Sequence, residues 1–149
     1  MFDELLSKLY SLELYYKNSH WTSKNSIFYG DHQLFDRLSE DVGSKIDVVA
    51  EKSIGVTGNT SAINLSSLLK RVYTIVSKLS YDSPENSKAF EQGLQLEQDL
   101  LAFITQVEPT QTIGVKNMLG DIADNSEGRI YLLKQRLSRG QSPLIKLPG

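Results

Sequence analysis

The two histidines of this 149-residue chain both fall in one 32-residue window, His20 to Glu51, beside a regular set of carboxylates. His32 and Asp36 are four residues apart, Asp47 and Glu51 are four apart, and eleven residues separate Asp36 from Asp47. On a helix, four residues return to one face and eleven turn through about 1,100°, roughly 20° past three full turns. These four side chains therefore form a single stripe. Imidazole together with carboxylate is a donor set for iron, and also for manganese or zinc. Cysteine is absent, which excludes disulfide staples and thiolate ligands and leaves only nitrogen and oxygen to hold a metal.

The stripe cannot close around one metal pair within a single chain, because about 16 Å of helix separates Asp36 from Asp47. A two-fold axis near residues 41 and 42 would set His32 opposite Glu51 of a second copy, and Asp36 opposite its Asp47. An antiparallel homodimer would then build two identical sites with ligands from both subunits. The ordinary alternative is a solvated charged face, since acids four residues from other polar groups are common on long amphipathic helices. Against that stands the position of the histidines. One lies in the stripe, and His20 closes the preceding predicted helix next to the only tryptophan, Trp21.

The pattern His20-Trp21, His32-x-x-x-Asp36 and Asp47-x-x-Ala50-Glu51-Lys52 resembles the ferroxidase signature of the Dps miniferritins, the DNA-binding proteins from starved cells. All the intervals match, over roughly residues 5 to 60. The resemblance implies an all-α, ferritin-like four-helix bundle with a short crossover helix between the second and third long helices. It implies a di-iron centre in which His20, His32 and Asp36 come from one subunit, with Asp47 and a bridging Glu51 from its two-fold mate. It also implies oxidation of ferrous iron by hydrogen peroxide or dioxygen, and mineral storage inside a hollow dodecamer. Trp21, adjacent to a ligand, would accept or donate an electron and limit radical escape.

Iron would enter through acidic pores, for which Asp121 and Asp124 are the candidates. The chain also departs from the family pattern. Lys52 stands where Arg is usual, Tyr131 stands where the last helix usually has Trp, and Pro109-Thr110-Gln111-Thr112 replaces an acidic turn. The family name suggests DNA binding, but the charge argues against it. DNA affinity rests on Lys and Arg neutralising phosphates, the segment after Gly140 offers only Lys146, and a net charge of −2 per chain would become −24 over twelve copies. A catalytically silent, structural or DNA-associated assembly is the alternative function.

The elements that must position these residues follow from apolar spacing. A first helix, about Phe2 to Trp21, carries Phe2, Leu5, Leu6, Leu9, Leu12 and Tyr16 on one face. A second, about Asp31 to Ile54, buries Leu34, Leu38, Val42, Ile46 and Val49, and its ligand stripe lies well around the cylinder from them. Gly55 and Gly58 end it, and Ile63 to Leu79 reads as the crossover. A third long helix starts at Asp82-Ser83-Pro84-Glu85, where Ser83 can cap and Pro84 suits the first turn, and runs to about Val107. The fourth, about Ile113 to Ser138, uses Met118, Leu119, Ile122, Ile130, Leu133 and Leu137, despite Gly114, Gly120 and Gly128. Gly140 and Pro143 should stop it, and Leu144, Ile145 and Leu147 should dock the tail.

The 149 residues are expected to form one domain. No apolar run approaches the roughly 20 residues that span a bilayer, and no signal-peptide pattern occurs, so a cytoplasmic location is expected. Glu-x-x-His pairs, phosphate loops, zinc ribbons and dinucleotide fingerprints are all missing. Metal uptake through two imidazoles requires them to be neutral, and an ordinary imidazole titrates near pH 6.5. Iron uptake is therefore predicted to weaken below about pH 6, and an oxidation rate at pH 5 equal to that at neutral pH would contradict the assignment.

Overall fold

The computed structural model describes residues 1–138, which form five α-helices: α1 (Phe2–Thr22), α2 (Phe28–Thr57), α3 (Leu65–Val76), α4 (Ser87–Val107) and α5 (Ile113–Ser138). One-turn 3-10 helices at Ser61–Ile63 and Glu108–Thr110 precede α3 and α5. Helices α1, α2, α4 and α5 make the expected four-helix bundle, with α3 as the crossover. Hydrogen bonds tie Lys24 and Asp31 to Asn86, and Asp31 to Arg136. The end of α1, the start of α2, the start of α4 and the end of α5 therefore share one end of the bundle. Helix α3 carries the chain back along the outside, where Arg71 pairs with Asp3 at 2.5 Å. No helix among the described residues is long and apolar enough to cross a membrane.

The apolar stripes read from the sequence close on one another. Leu5, Leu6, Leu9, Leu12 and Tyr16 of α1, Leu38, Val42 and Val49 of α2, and Leu119, Ile122 and Leu133 of α5 are all buried. Removing each Leu, Ile or Val side chain from water contributes about 1.5–3 kcal/mol. Leu34 and Leu137 are only partly buried. The boundaries differ from expectation in three places, one being the crossover, where α3 spans Leu65–Val76 instead of Ile63 to Leu79. Helix α2 begins at Phe28 and passes through Gly55, ending where Gly58 adopts φ 73° and its N–H returns to the Ile54 carbonyl. Helix α4 begins at Ser87, because Asp82 takes φ 59° and Asn86 uses its side chain on Lys24 and Asp31. The expected stop at Gly140 and Pro143, and the docking of Leu144, Ile145 and Leu147, lie outside the described residues.

The bundle centre holds a buried ionic network. Glu97 of α4 and Arg129 of α5 are 0% and 1% exposed. Arg129 Nε donates to Glu97 Oε1 at 2.6 Å and Nη2 donates to Oε2 at 3.0 Å. The remaining acceptor capacity of Glu97 is filled by Tyr16 of α1 at 2.8 Å and by Ser126 of α5 at 2.6 Å. Arg129 Nη1 reaches Asp41 of α2 at 3.0 Å and also contacts Asn125. Burial works against the charge on Arg129, but its bonds to Glu97 outweigh that and hold its pKa above the ordinary arginine value. One network thus touches all four bundle helices. Gly93 makes room for it, because a Cβ there would lie 2.8 Å from Tyr16 Cε1.

A buried ion pair that loses one member leaves an uncompensated charge. Arg129→Met is therefore expected to lower the unfolding free energy by about 3–5 kcal/mol, while joint replacement of Glu97 and Arg129 by Leu and Met should cost far less. Urea denaturation of both variants checks this. Equal losses would show that shape rather than charge governs the site.

Candidate metal centre

His20 lies in the last turn of α1, and His32 lies in the second turn of α2. The connecting loop is fixed by Asn86, which accepts from the Lys24 N–H at 3.1 Å and donates to the Lys24 carbonyl at 2.9 Å. Asn25, at φ 74°, donates to the Pro84 carbonyl at 3.0 Å. Asp31, 3% exposed, receives Arg136 Nε at 2.7 Å and Nη2 at 2.9 Å, so α5 also braces the first turn of α2. Neither histidine rests on a free strand of chain.

The two imidazoles stack, with ring centroids 3.6 Å apart and planes 17° from parallel. Phe28 stacks on the other side of His32 at 4.9 Å. Each ring is bonded to the other residue's backbone: His20 Nδ1 lies 2.6 Å from the His32 carbonyl oxygen, and His32 Nδ1 lies 2.7 Å from that of His20. A carbonyl oxygen can only accept, so each Nδ1 carries a proton. In a neutral ring the lone pair then resides on Nε2. Both imidazoles are thus held in the tautomer that offers Nε2 to a metal.

Asp36, one turn beyond His32, is half-exposed and receives Lys17 Nζ at 2.6 Å. That hydrogen bond is the main reason its carboxyl lies below the ordinary Asp range, and the neighbouring imidazoles add a smaller pull. Asp47 and Glu51 lie on α2 beyond this cluster, and both are exposed. The chain therefore brings His20 and His32 into contact, with Asp36 one turn beyond His32, and leaves Asp47 and Glu51 apart from them. Among the described residues, no three His, Asp or Glu side chains are grouped closely enough to hold a metal ion. Trp21 is 69% exposed beside His20. Of the two pore candidates, Asp121 pairs with Lys45 at 2.8 Å, and Asp124 is exposed.

Two features escaped the reading from sequence. Lys17 and Asp36 belong to different helices, and nothing in their spacing announces the pair. Glu97 and Arg129 did carry a signal. Phe90, Gly93, Glu97, Leu100 and Ile104 recur at three- and four-residue steps, as do Ile122, Ser126, Arg129 and Leu133. An acid and a base thus each occupy a core position on consecutive bundle helices.

No protein-family model matches the chain, and no curated protein matches it. Solved structures do. Dps from Thermosynechococcus elongatus aligns with a TM-score of 0.83 at 20% identity, covering 96% of this chain and 91% of that one. Dps92 from Deinococcus radiodurans gives 0.61 at 19% identity, covering 90% and 81%. A DPS protein from Vibrio cholerae O1, described as a member of a broad superfamily of ferritin-like diiron-carboxylate proteins, gives 0.64 at 21% identity, covering 91% and 86%. At these identities the likeness establishes the fold, which is the ferritin-like bundle of Dps proteins.

A metal entering beside the two imidazoles must take Asp36 from Lys17. Exposed ion pairs are weak, so Lys17→Met is expected to tighten zinc binding by no more than about fivefold, whereas Asp36→Ala weakens it. Titration calorimetry with Zn(II) reads both. A Lys17→Met affinity equal to wild type would mean that the ion pair does not stand in the way of the metal.

Proposed function

We propose that this chain is a divergent Dps-type miniferritin that oxidises ferrous iron at centres shared between two copies and stores the ferric product in a hollow dodecamer. The observation that carries this reading is the stacked His20–His32 pair, in which both Nδ1 atoms are engaged by backbone carbonyls and both Nε2 atoms are left to a ligand, with Asp36 one turn beyond His32. Imidazole nitrogen and carboxylate oxygen suit iron, with manganese or zinc as other occupants. The fold supports the same reading, because Dps proteins of known structure share it.

Each chain would supply His20, His32 and Asp36 to one centre, and Asp47 with Glu51 to the centre across the two-fold axis. Exposed apolar residues favour a second copy. Val48, between the two acids, is 50% exposed, and Leu65, Leu69 and Tyr73 of α3 are 66%, 53% and 70% exposed at four-residue steps. Iron is the substrate. Two ferrous ions give up one electron each, and one peroxide takes both electrons with two protons and leaves as two waters. Carboxylate oxygens favour the harder ferric product and help to drive the transfer. Asp121 and Asp124 remain the proposed entry residues, with Lys45 tempering the charge of the first. The acidic balance of the chain disfavours DNA as a partner.

The deciding experiment is ferrous oxidation by the purified protein, followed in the near ultraviolet with limiting peroxide and then with oxygen, beside a His32→Ala/Asp36→Ala variant. Rapid oxidation by the wild type alone is the expected outcome. Equal, slow oxidation in both would leave a catalytically silent assembly as the better description.

A further inference from the structure

Tyr16 lies one turn before His20 on α1, a spacing that sets side-chain stems about 5–6 Å apart. Its ring is fully buried, 6.5 Å between centroids from Phe35, the neighbour of Asp36 in sequence. Tyr16 thus sits on the core side of both helices that carry the candidate ligands. Its hydroxyl donates to Glu97 Oε1 at 2.8 Å. A phenol that loses an electron becomes strongly acidic, and in a dry core its proton needs an acceptor already in place. Glu97 provides one. If Glu97 takes that proton, Arg129 still has Asp41 at 3.0 Å to balance its charge, and the proton can return along the same hydrogen bond. Burial, reinforced by Glu97, pushes the Tyr16 hydroxyl well above the usual tyrosine range, so the resting phenol stays protonated. Trp21, on the other side of His20, is 69% exposed and would leave an oxidised ring open to solvent.

We propose that Tyr16, with Glu97 as its proton acceptor, supplies the second electron when peroxide meets a centre holding a single ferrous ion. This rests on the ferroxidase reading above. The peroxide O–O bond breaks as it takes one electron from iron, one from Tyr16 and two protons from solvent, leaving as two waters. The phenol proton moves to Glu97, and a neutral tyrosyl radical remains in the core. Without that second electron, one-electron cleavage releases hydroxide and a hydroxyl radical.

The test mixes the whole protein with one ferrous ion per centre and excess peroxide, freezes it rapidly and records electron paramagnetic resonance. Wild type should show a tyrosyl signal that narrows when its tyrosines are ring-deuterated. Tyr16→Phe, which keeps the ring and the packing, should lose that signal and release more spin-trapped hydroxyl radical, whereas Tyr15→Phe keeps the signal. A signal that survives Tyr16→Phe, or no signal in a wild type that oxidises iron faster than His32→Ala/Asp36→Ala, overturns this proposal alone. Iron oxidation no faster than in that control removes the ferroxidase reading and this proposal with it.

Discussion

The Glu97–Arg129 pair constrains the whole bundle. Placing two full charges in a core is costly unless every donor and acceptor is met, and breaking such a pair costs more than never having built it. Here the bonds are met by Tyr16, Ser126, Asp41 and Asn125, which come from α1, α2 and α5. Helices can slide past one another at modest cost when only leucines interdigitate. They cannot do so when one guanidinium must find a glutamate on α4 and an aspartate on α2 together. The network therefore fixes the relative height of all four helices, and with it the level at which His20 faces His32.

A second polar clamp finishes what the first begins. Asp31, Asn86 and Arg136 hold the start of α2, the start of α4 and the end of α5 together, and Asn86 holds the loop between the histidines. Arg136 also lies over the Phe90 ring at 4.9 Å, so the clamp is seated on the core. The imidazoles depend on this rigidity, because each Nδ1 must meet a carbonyl on the other helix. A shift of an ångström would lose both bonds and free the rings to change tautomer.

The helices, their inward faces and the crossover were legible in the sequence because apolar spacing is a local signal and the core obeys it. The grouping of His32 with Asp36 was legible for the same reason, as they lie one turn apart. The start of α4 was misread because Asn86 is engaged by residues some 55 to 62 positions earlier in the chain, so local capping chemistry at Ser83 did not decide the matter. The pairing of Lys17 with Asp36 and the exchange of bonds between the histidines depend on how two helices cross, which spacing within one helix does not specify. Glu97 and Arg129 were visible as charged residues on apolar stripes, and that breach of pattern marked the centre of the structure.

Bundles of this shape commonly lodge metal between their helices, on inward-facing carboxylates. This one has such a carboxylate, and Arg129 occupies the position that a cation would take beside it. The interior thus balances its charge with its own side chains, and that balance needs no bound ion.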